Sequence, residues 1–293
     1  MILYHASLDL QVLKRYYETF HERLDVLLSV AIMSGHTKGF LEDQRHMIDR
    51  IVADSGAWSV AKGSSSLTLE EVISYFKLWG HKFCHYFNFD TDFSDNGFEN
   101  NISNQLKMES AGLNPIPVVH NFFDREIDYY VESEKYQWVA LGSSQSTNFD
   151  NFSYAVHRIK KGNPDIKIHW FGGSRFEWLV RLPVASCDTS SWAKTGSYGL
   201  INYWNEKKKG LNKTDKIYVG GRVRQDDKGT YHFLTYPWKD ELETYLRNTF
   251  GFEYRDLCGY DDKFNMQLIN TRFYEELEQR VNNERIKRGI PLE

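Results

Sequence analysis

Short apolar segments alternate with longer amphipathic segments along the first two thirds of the chain. Eight of the apolar segments have the length and composition typical of buried strands. They are residues 2–5, 26–31, 50–54, 84–90, 116–120, 137–142, 166–172 and 183–188. Segments with helical periodicity lie between them, among them 69–79, which follows a capping box formed by Thr68 and Glu71. Strands that alternate with helices predict parallel βαβ units.

Eight strands is the number found in a closed (β/α)8 barrel. We therefore expect an α/β fold in which residues 1–199 form a (β/α)8 TIM-type barrel. The first two apolar segments can also be interpreted differently, which leaves an open doubly wound sheet as the alternative.

The pattern changes after about Gly199. Residues 216–220 and 230–234 predict a β-hairpin with its turn at 226–229, and residues 238–247 and 271–288 predict helices. We expect residues 200–293 to form a C-terminal α+β appendage that packs on the barrel and offers a nucleic-acid-binding surface.

The composition is that of an ordinary folded protein. Hydrophobic residues make up 41% and charged residues 26%, which excludes a largely disordered chain. The net charge of -4 gives no overall basic field, so only a local patch could bind nucleic acid. The three cysteines are too far apart for a disulfide framework or a paired zinc site. With no signal peptide and no membrane-spanning apolar segment, we expect a cytoplasmic protein without a membrane partner.

Aspartates end two of the predicted strands, at Asp54 and Asp188, and each opens a turn rich in Ser, Gly and Thr. A barrel enzyme places its reacting groups at the carboxyl ends of its strands. Two carboxylates there can have different roles: one attacks a sugar carbon and the other transfers a proton. Taken alone, Asp54-Ser55-Gly56 is often only a helix-capping turn.

Four further residues lie at strand ends. Asp90 could accept hydrogen bonds from ring N–H and amino groups, or be a solvated loop acid. His120 is as well explained by packing as by function. Gly142 and Gly172 would let the backbone lie against a planar ring or bind an anion.

The order of these segments resembles the tRNA-guanine transglycosylase superfamily. Residues 54–59 (Asp-Ser-Gly-Ala-Trp-Ser) are similar to the family's Asp-Ser-Gly-Gly-Phe-Gln motif, 89–91 to its Phe-Asp-Glu, and 119–121 to its Val-Gln-Gly. Residues 141–143, 171–173 and 187–189 are similar to its Gly-Gly-Leu, Met-Gly-Val-Gly and Phe-Asp-Cys segments. The resemblance covers roughly residues 26–195. Residues 186–192 are closer to the branch that inserts 7-deazaguanine bases into DNA in bacteriophages and bacteria.

The resemblance implies a glycosyltransferase that exchanges guanine in DNA for a 7-deazaguanine base and needs no cofactor. Asp188 would attack C1′ and form a covalent sugar–enzyme intermediate, and Asp54 would move protons. Asp90 would read the guanine-like edge. His120, Gly142, Ser55 and Gly172 would complete the base pocket. The partners would be a free 7-deazaguanine base and DNA, either single-stranded or a duplex with a flipped base.

Several positions depart from the family pattern. The tRNA-acting members hold a structural zinc with a Cys-x-Cys-x-x-Cys cluster and a His after the nucleophile strand, whereas this chain has only Cys258 there. We therefore expect no zinc site. His120 stands where the family has Gln, and Ala57-Trp58-Ser59 where it has Gly-Phe-Gln.

A polynucleotide substrate requires cations that contact phosphates. The candidates are Lys160, Lys161, Lys207, Lys208, Lys209, Arg222 and Arg224. For any one of these clusters, a solvated charged face is the more common explanation.

Three alternatives to the DNA enzyme remain open: a tRNA-guanine transglycosylase, a metal-dependent barrel hydrolase and a catalytically silent nucleic-acid-binding relative. The hydrolase would use His5, His120, His169 and Asp188. The sequence also leaves open a homodimer or an accessory protein.

Overall fold

Eight parallel strands form the main sheet in a computed structural model that describes residues 1–33, 37–94, 96–142, 144–220, 230–258 and 262–292. The strands are β1 Ile2–Ala6, β2 Leu24–Ser29, β3 Ile48–Asp54, β4 His85–Tyr86, β5 Val118–Val119, β6 Trp138–Leu141, β7 Lys167–Trp170 and β8 Ser186–Thr189. Their order in the sheet is β4-β3-β2-β1-β8-β7-β6-β5, and each neighbouring pair is parallel.

The two edge strands of this sheet are connected by backbone hydrogen bonds. A parallel bridge joins Phe87, just after β4, to Ile116, just before β5. The Ile116 N–H donates to the Tyr86 carbonyl at 2.8 Å, and the Asn88 N–H donates to the Ile116 carbonyl at 2.9 Å. The strands therefore follow one another in chain order around a curled sheet, which is consistent with a TIM-like fold. In the doubly wound alternative the strand order would reverse within an open sheet, which does not describe these eight strands.

Helices lie between the strands of the main sheet, as the amphipathic segments predict, and three more follow β8. They are α1 Leu10–Phe20, α2 Val30–Met33, α3 Ala57–Ala61, α4 Leu69–Trp79, α5 Phe98–Ser110, α6 Glu126–Glu132, α7 Phe149–Gly162, α8 Phe176–Leu179, α9 Ser191–Ser197, α10 Lys239–Phe250 and α11 Asp262–Arg288. The Thr68 capping box of α4 is confirmed, since Thr68 Oγ1 accepts from the Glu71 N–H and the Glu71 carboxylate accepts from the Thr68 N–H. Among the helices of the described ranges, none is long and apolar enough to cross a membrane.

Alternate residues of the strands fill the interior of the curled sheet. One buried cluster contains Tyr4, Ala6, Leu27, Val52, Phe87, Ile116, Val118 and Ala140. Since side chains two positions apart on a strand face the same side, the next inward-facing residues lie at the carboxyl ends of the strands.

The chain divides into two compact units, and both are discontinuous in sequence. The first comprises Met1–Ser7, Leu24–Thr189 and Val281–Glu293, and the second comprises Leu8–Arg23 and Ser190–Arg280. This division differs from the predicted one at residue 199. It assigns α1 to the second unit and the end of α11 to the first.

The second unit contains a three-stranded sheet of β9 Leu200–Trp204, β10 Thr214–Tyr218 and β11 Thr230–His232. Strands β9 and β10 are antiparallel, but β10 and β11 are parallel. The predicted hairpin between residues 216–220 and 230–234 is therefore wrong, because a tight turn cannot join parallel strands. Its predicted turn at 226–229 lies outside the described residues.

Arg285 is fully buried near the end of α11 in the first unit and binds the loop that precedes β8. Its guanidinium donates to the carbonyls of Leu179, Leu182 and Val184 at 2.6, 2.6 and 2.8 Å. Five donors in a fixed planar arrangement allow one arginine to satisfy several buried acceptors. The loop that leads into β8 is thereby fixed by a residue of the last helix.

Candidate active site

The polar residues predicted at the strand ends converge on one end of the curled sheet. Asp54, His120 and Gly142 each lie two residues after a member of the interior cluster, namely Val52, Val118 and Ala140. They therefore face the same interior at the carboxyl end of the strands.

Asp188 on β8 is 7% exposed and is anchored through one of its two carboxylate oxygens. Its Oδ1 accepts a hydrogen bond of 2.9 Å from the Gly172 N–H and lies 3.4 Å from His169 Nε2. Among the described residues no donor contacts Oδ2. The carboxylate is thus held through Oδ1, and Oδ2 is the oxygen that could react with a ligand.

Asp54 ends β3 and is half-buried at the same end of the sheet. Burial, together with the negative charges of Asp90 and Asp188, raises the pKa of Asp54 to about 7. The Ser29 side chain and the Gly56 backbone N–H act in the opposite direction. A carboxyl group with a pKa near neutrality can both donate and accept a proton in one reaction cycle.

Asp90 and His120 form a buried pair. Asp90 is 6% exposed, and His120 Nε2 lies 2.6 Å from its Oδ2. Burial alone would lower the pKa of His120, but the hydrogen bond and charge of Asp90 outweigh it and raise this pKa. The ring also bonds to the Gly142 backbone, which raises the pKa further. His120 therefore binds Asp90 Oδ2, and Oδ1 is the oxygen that could contact a ligand.

Helix α5 holds the loop that carries Asp90. Asn101 accepts from the Asp92 N–H at 3.1 Å and donates to the Asp92 carbonyl at 2.8 Å. Asn104 donates to the Phe89 carbonyl at 2.8 Å. The side-chain amides of α5 thus bind the backbone on both sides of Asp90.

The turn after Asp54 requires glycine at position 56. Gly56 has a φ of +86°, and a Cβ atom there would lie 2.7 Å from the Ala31 Cβ and 2.9 Å from the Ala31 nitrogen. Only glycine satisfies both the left-handed conformation and the close approach of the α2 backbone.

Two residues predicted to contact the base use their polar groups for hydrogen bonds within the protein. The Ser55 side chain is fully buried and donates to the Asn88 carbonyl at 2.7 Å, so it connects the ends of β3 and β4. Gly172 is exposed, but its N–H is committed to Asp188. Both residues position neighbouring groups.

Aromatic rings extend from the Asp90–His120 pair to the surface. Phe93 packs edge-on against His120 with a centroid distance of 4.7 Å, and Trp58 packs edge-on against Phe93 at 5.2 Å. Trp58 is 57% exposed, with the Lys62 ammonium 4.5 Å from its ring centroid. An exposed indole beside a cation is a surface on which a nucleobase could stack.

The predicted phosphate-binding cations fall into three groups. Lys161, Lys207 and Lys209 are exposed. Lys160 donates to the carbonyls of Pro164 and Ile166, and Lys208 pairs with buried Asp215 at 2.9 Å, so both are occupied within the protein. Arg222 and Arg224 lie outside the described residues.

Within the ranges that the structure describes, no group of three or more His, Cys, Asp or Glu side chains is arranged to hold a metal ion. Two of the four residues considered for a metal site have other polar neighbours. His120 is bonded to Asp90, and His169 Nδ1 lies 2.8 Å from Ser186 Oγ.

His169 and Ser186 also belong to the site. The sequence indicated only His169, as a possible metal ligand. Each lies two residues before a strand-end residue, Phe171 or Asp188, so strand periodicity could have identified them. Their mutual contact depends on the pairing of β7 with β8, in which His169 is the partner of Ser186.

No protein-family model matches the sequence, and no curated protein is similar enough to be matched with it. The site geometry and the motif resemblance therefore carry the functional argument.

Proposed function

We propose that the protein is a DNA-guanine transglycosylase that exchanges guanine for a 7-deazaguanine base through a covalent Asp188–sugar intermediate. One observation carries the proposal. Asp188, held by one oxygen, and Asp54, with a pKa of about 7, lie close enough for the Asp188 charge to raise the pKa of Asp54. A nucleophile and a proton carrier at one site are what base exchange requires.

In the first half-reaction, Asp188 Oδ2 forms a bond to C1′ while the bond from C1′ to N9 of guanine breaks. The electron pair of that bond goes to guanine, which takes a proton from Asp54 and leaves. In the second half-reaction, the incoming base gives its N9 proton to Asp54 and attacks C1′, and Asp188 leaves as a carboxylate. Asp54 ends in its starting protonation state, since it donates one proton and regains one.

Recognition of the base would depend on Asp90. Its Oδ1 can accept hydrogen bonds from the ring N–H and amino group of a guanine-like edge, while His120 holds Oδ2. Trp58 and Phe93 offer ring surfaces for stacking next to this edge.

The polynucleotide part of the proposal is supported by the exposed cations and by a second aromatic surface. Phe123 and Tyr154 are exposed and stacked with a centroid distance of 5.3 Å and an interplanar angle of 21°. Such ring surfaces bind unpaired bases of any sequence. The choice of DNA over tRNA follows from the motif resemblance and from Cys258 being the only cysteine after Asp188.

The test is a base-exchange assay with labelled guanine and with a labelled 7-deazaguanine base. Each is offered with duplex DNA, single-stranded DNA and tRNA to the wild type, to Asp188→Asn and to Asp165→Asn. Asp165 is an exposed acid in the turn before β7 and serves as the matched control. We expect label in DNA from the wild type and the control, and none from Asp188→Asn. Label in tRNA alone would identify the tRNA enzyme, and an active Asp188→Asn protein would refute the mechanism.

A further inference from the structure

His169 lies inside the curled sheet and is 1% exposed. It is opposite Ser186, which precedes Asp188 by two residues on β8. It is on β7, next to β8, and aromatic rings surround it. The centroids of Phe87 and Phe171 are each 4.7 Å from its ring, and that of Tyr4 is 6.3 Å away. A polar ring buried among aromatic side chains is costly unless its nitrogens have partners.

The two ring nitrogens of His169 face different polar groups. Nδ1 lies 2.8 Å from Ser186 Oγ, which is itself buried. Nε2 makes no hydrogen bond within the described residues, and Asp188 Oδ1 lies 3.4 Å from it. Contacts of catalytic groups are often long in the absence of substrate and shorten in the reacting complex.

The orientation of the ring follows from these two neighbours. The Asp188 carboxylate has no proton donor of its own, so an attractive contact requires the proton on Nε2. The Ser186 hydroxyl can then donate to Nδ1. The opposite tautomer would direct the Nε2 lone pair at a carboxylate oxygen, which is repulsive.

Resting on the proposed transglycosylase function, we propose that His169 is a positioning residue for the nucleophile: its Nε2–H, oriented by Ser186, holds Asp188 Oδ1 together with the Gly172 N–H and leaves Oδ2 to attack C1′. Two donors on one oxygen fix the rotation of the carboxylate about its Cβ–Cγ bond. Displacement of a reacting atom by about 1 Å can lower a rate by about 100-fold.

Ser186, His169 and Asp188 also have the composition of a hydrolytic triad, but the geometry does not support that role. Ser186 is 2% exposed inside the sheet, whereas Asp188 lies at its open end. A buried hydroxyl in this position cannot reach a substrate and can only orient the ring.

The kinetic test compares His169→Phe, His169→Gln and Ser186→Ala with wild type. The matched control is His157→Phe, an exposed histidine on α7. We expect kcat for base exchange to fall about 10–100-fold in His169→Phe with little change in KM. His169→Gln should recover part of the loss, because its amide can donate to Asp188 and accept from Ser186. Equal kcat values for folded His169→Phe and wild type would overturn the proposal.

A second measurement does not depend on activity. ¹⁵N NMR of histidine-labelled protein reports which ring nitrogen of His169 carries a proton, and the His169→Gln spectrum assigns the signals. We expect a proton on Nε2 whose signal shifts in Asp188→Asn. A bare Nε2 with a proton on Nδ1 would overturn the proposal. If the wild type exchanges no base while the Nε2 proton responds to Asp188, the transglycosylase function fails and the contact stands.

Discussion

The raised pKa of Asp54 makes the folded protein less stable as the pH rises. Its pKa is about 7 in the folded protein, against an ordinary value of 3.8. The folded state therefore binds more protons than the unfolded state between about pH 4 and 7, and stability falls as the pH rises through this range. Above about pH 7 the raised pKa lowers the free energy of unfolding by its full amount, on the order of 4 kcal/mol.

We therefore expect Asp54→Asn to be more stable than wild type at pH 8 and about equally stable at pH 4. The same variant should lose most of its exchange activity, since it cannot carry a proton. Urea unfolding of both proteins across this pH range measures the difference, and the pH dependence common to other groups cancels in the comparison. A stability difference independent of pH would contradict the raised pKa.

Gly56 permits a prediction with an internal control, because Gly112 has almost the same backbone conformation. Their φ values are +86° and +85°, but a Cβ on Gly112 would meet nothing within 4 Å. Gly112→Ala should lower the free energy of unfolding by about 1 kcal/mol, the cost of the left-handed conformation alone. Gly56→Ala should cost about 1–3 kcal/mol more because Ala31 must move. If denaturant unfolding shows the same loss of unfolding free energy in both variants, Ala31 moves aside without an energetic cost.

At the scale of elements, the contact between the end of α11 and the loop before β8 depends on Arg285. Arg285→Met would leave the carbonyls of Leu179 and Val184 without their donor, whereas the carbonyl of Leu182 would keep the Val184 N–H at 2.9 Å. Each unsatisfied buried acceptor costs about 1–3 kcal/mol, so with two of them we expect a loss of at least about 2 kcal/mol. Arg288→Met on the same helix removes only a pair with Glu284 at the surface and should cost under about 1 kcal/mol. Thermal unfolding of the two variants tests this ranking.

The β9–β10 loop provides the prediction at the scale of the whole molecule, which concerns nucleic-acid binding. If exposed Lys207 and Lys209 bind phosphates, Lys207→Gln/Lys209→Gln should weaken binding to any DNA sequence. The slope of log affinity against log salt concentration should also become shallower, by about 0.9 for each phosphate that the variant no longer neutralises. Lys208→Gln is the control, since Lys208 is paired with buried Asp215 and should affect stability instead. Fluorescence anisotropy with labelled DNA at about 50–200 mM salt measures both slopes, and identical slopes would exclude this loop from the interface.

The eight strands, the helices between them and the convergence of Asp54, Asp90, His120 and Asp188 could be predicted from the sequence, because they depend on local patterns. The direction of β11 could not, since pairing over a long connection leaves no local signal and Asp226-Asp227-Lys228-Gly229 has the composition of a turn. The His169–Ser186 contact depends on the register of two strands. The roles of Ser55 and Gly172 depend on which neighbours the fold brings to them.

The Arg285 contact also has a consequence for the order of folding. Arg285 lies 106 positions after Leu179, and a growing chain exposes its N-terminal portion first. During synthesis the loop before β8 exists for some time without the guanidinium that binds its carbonyls, so this loop can acquire its final contacts only after Arg285 has emerged. The segment that leads to Asp188 would then lack this contact in an incomplete chain. We expect protection of the 179–184 amides in pulsed hydrogen exchange to appear late in refolding, together with that of α11.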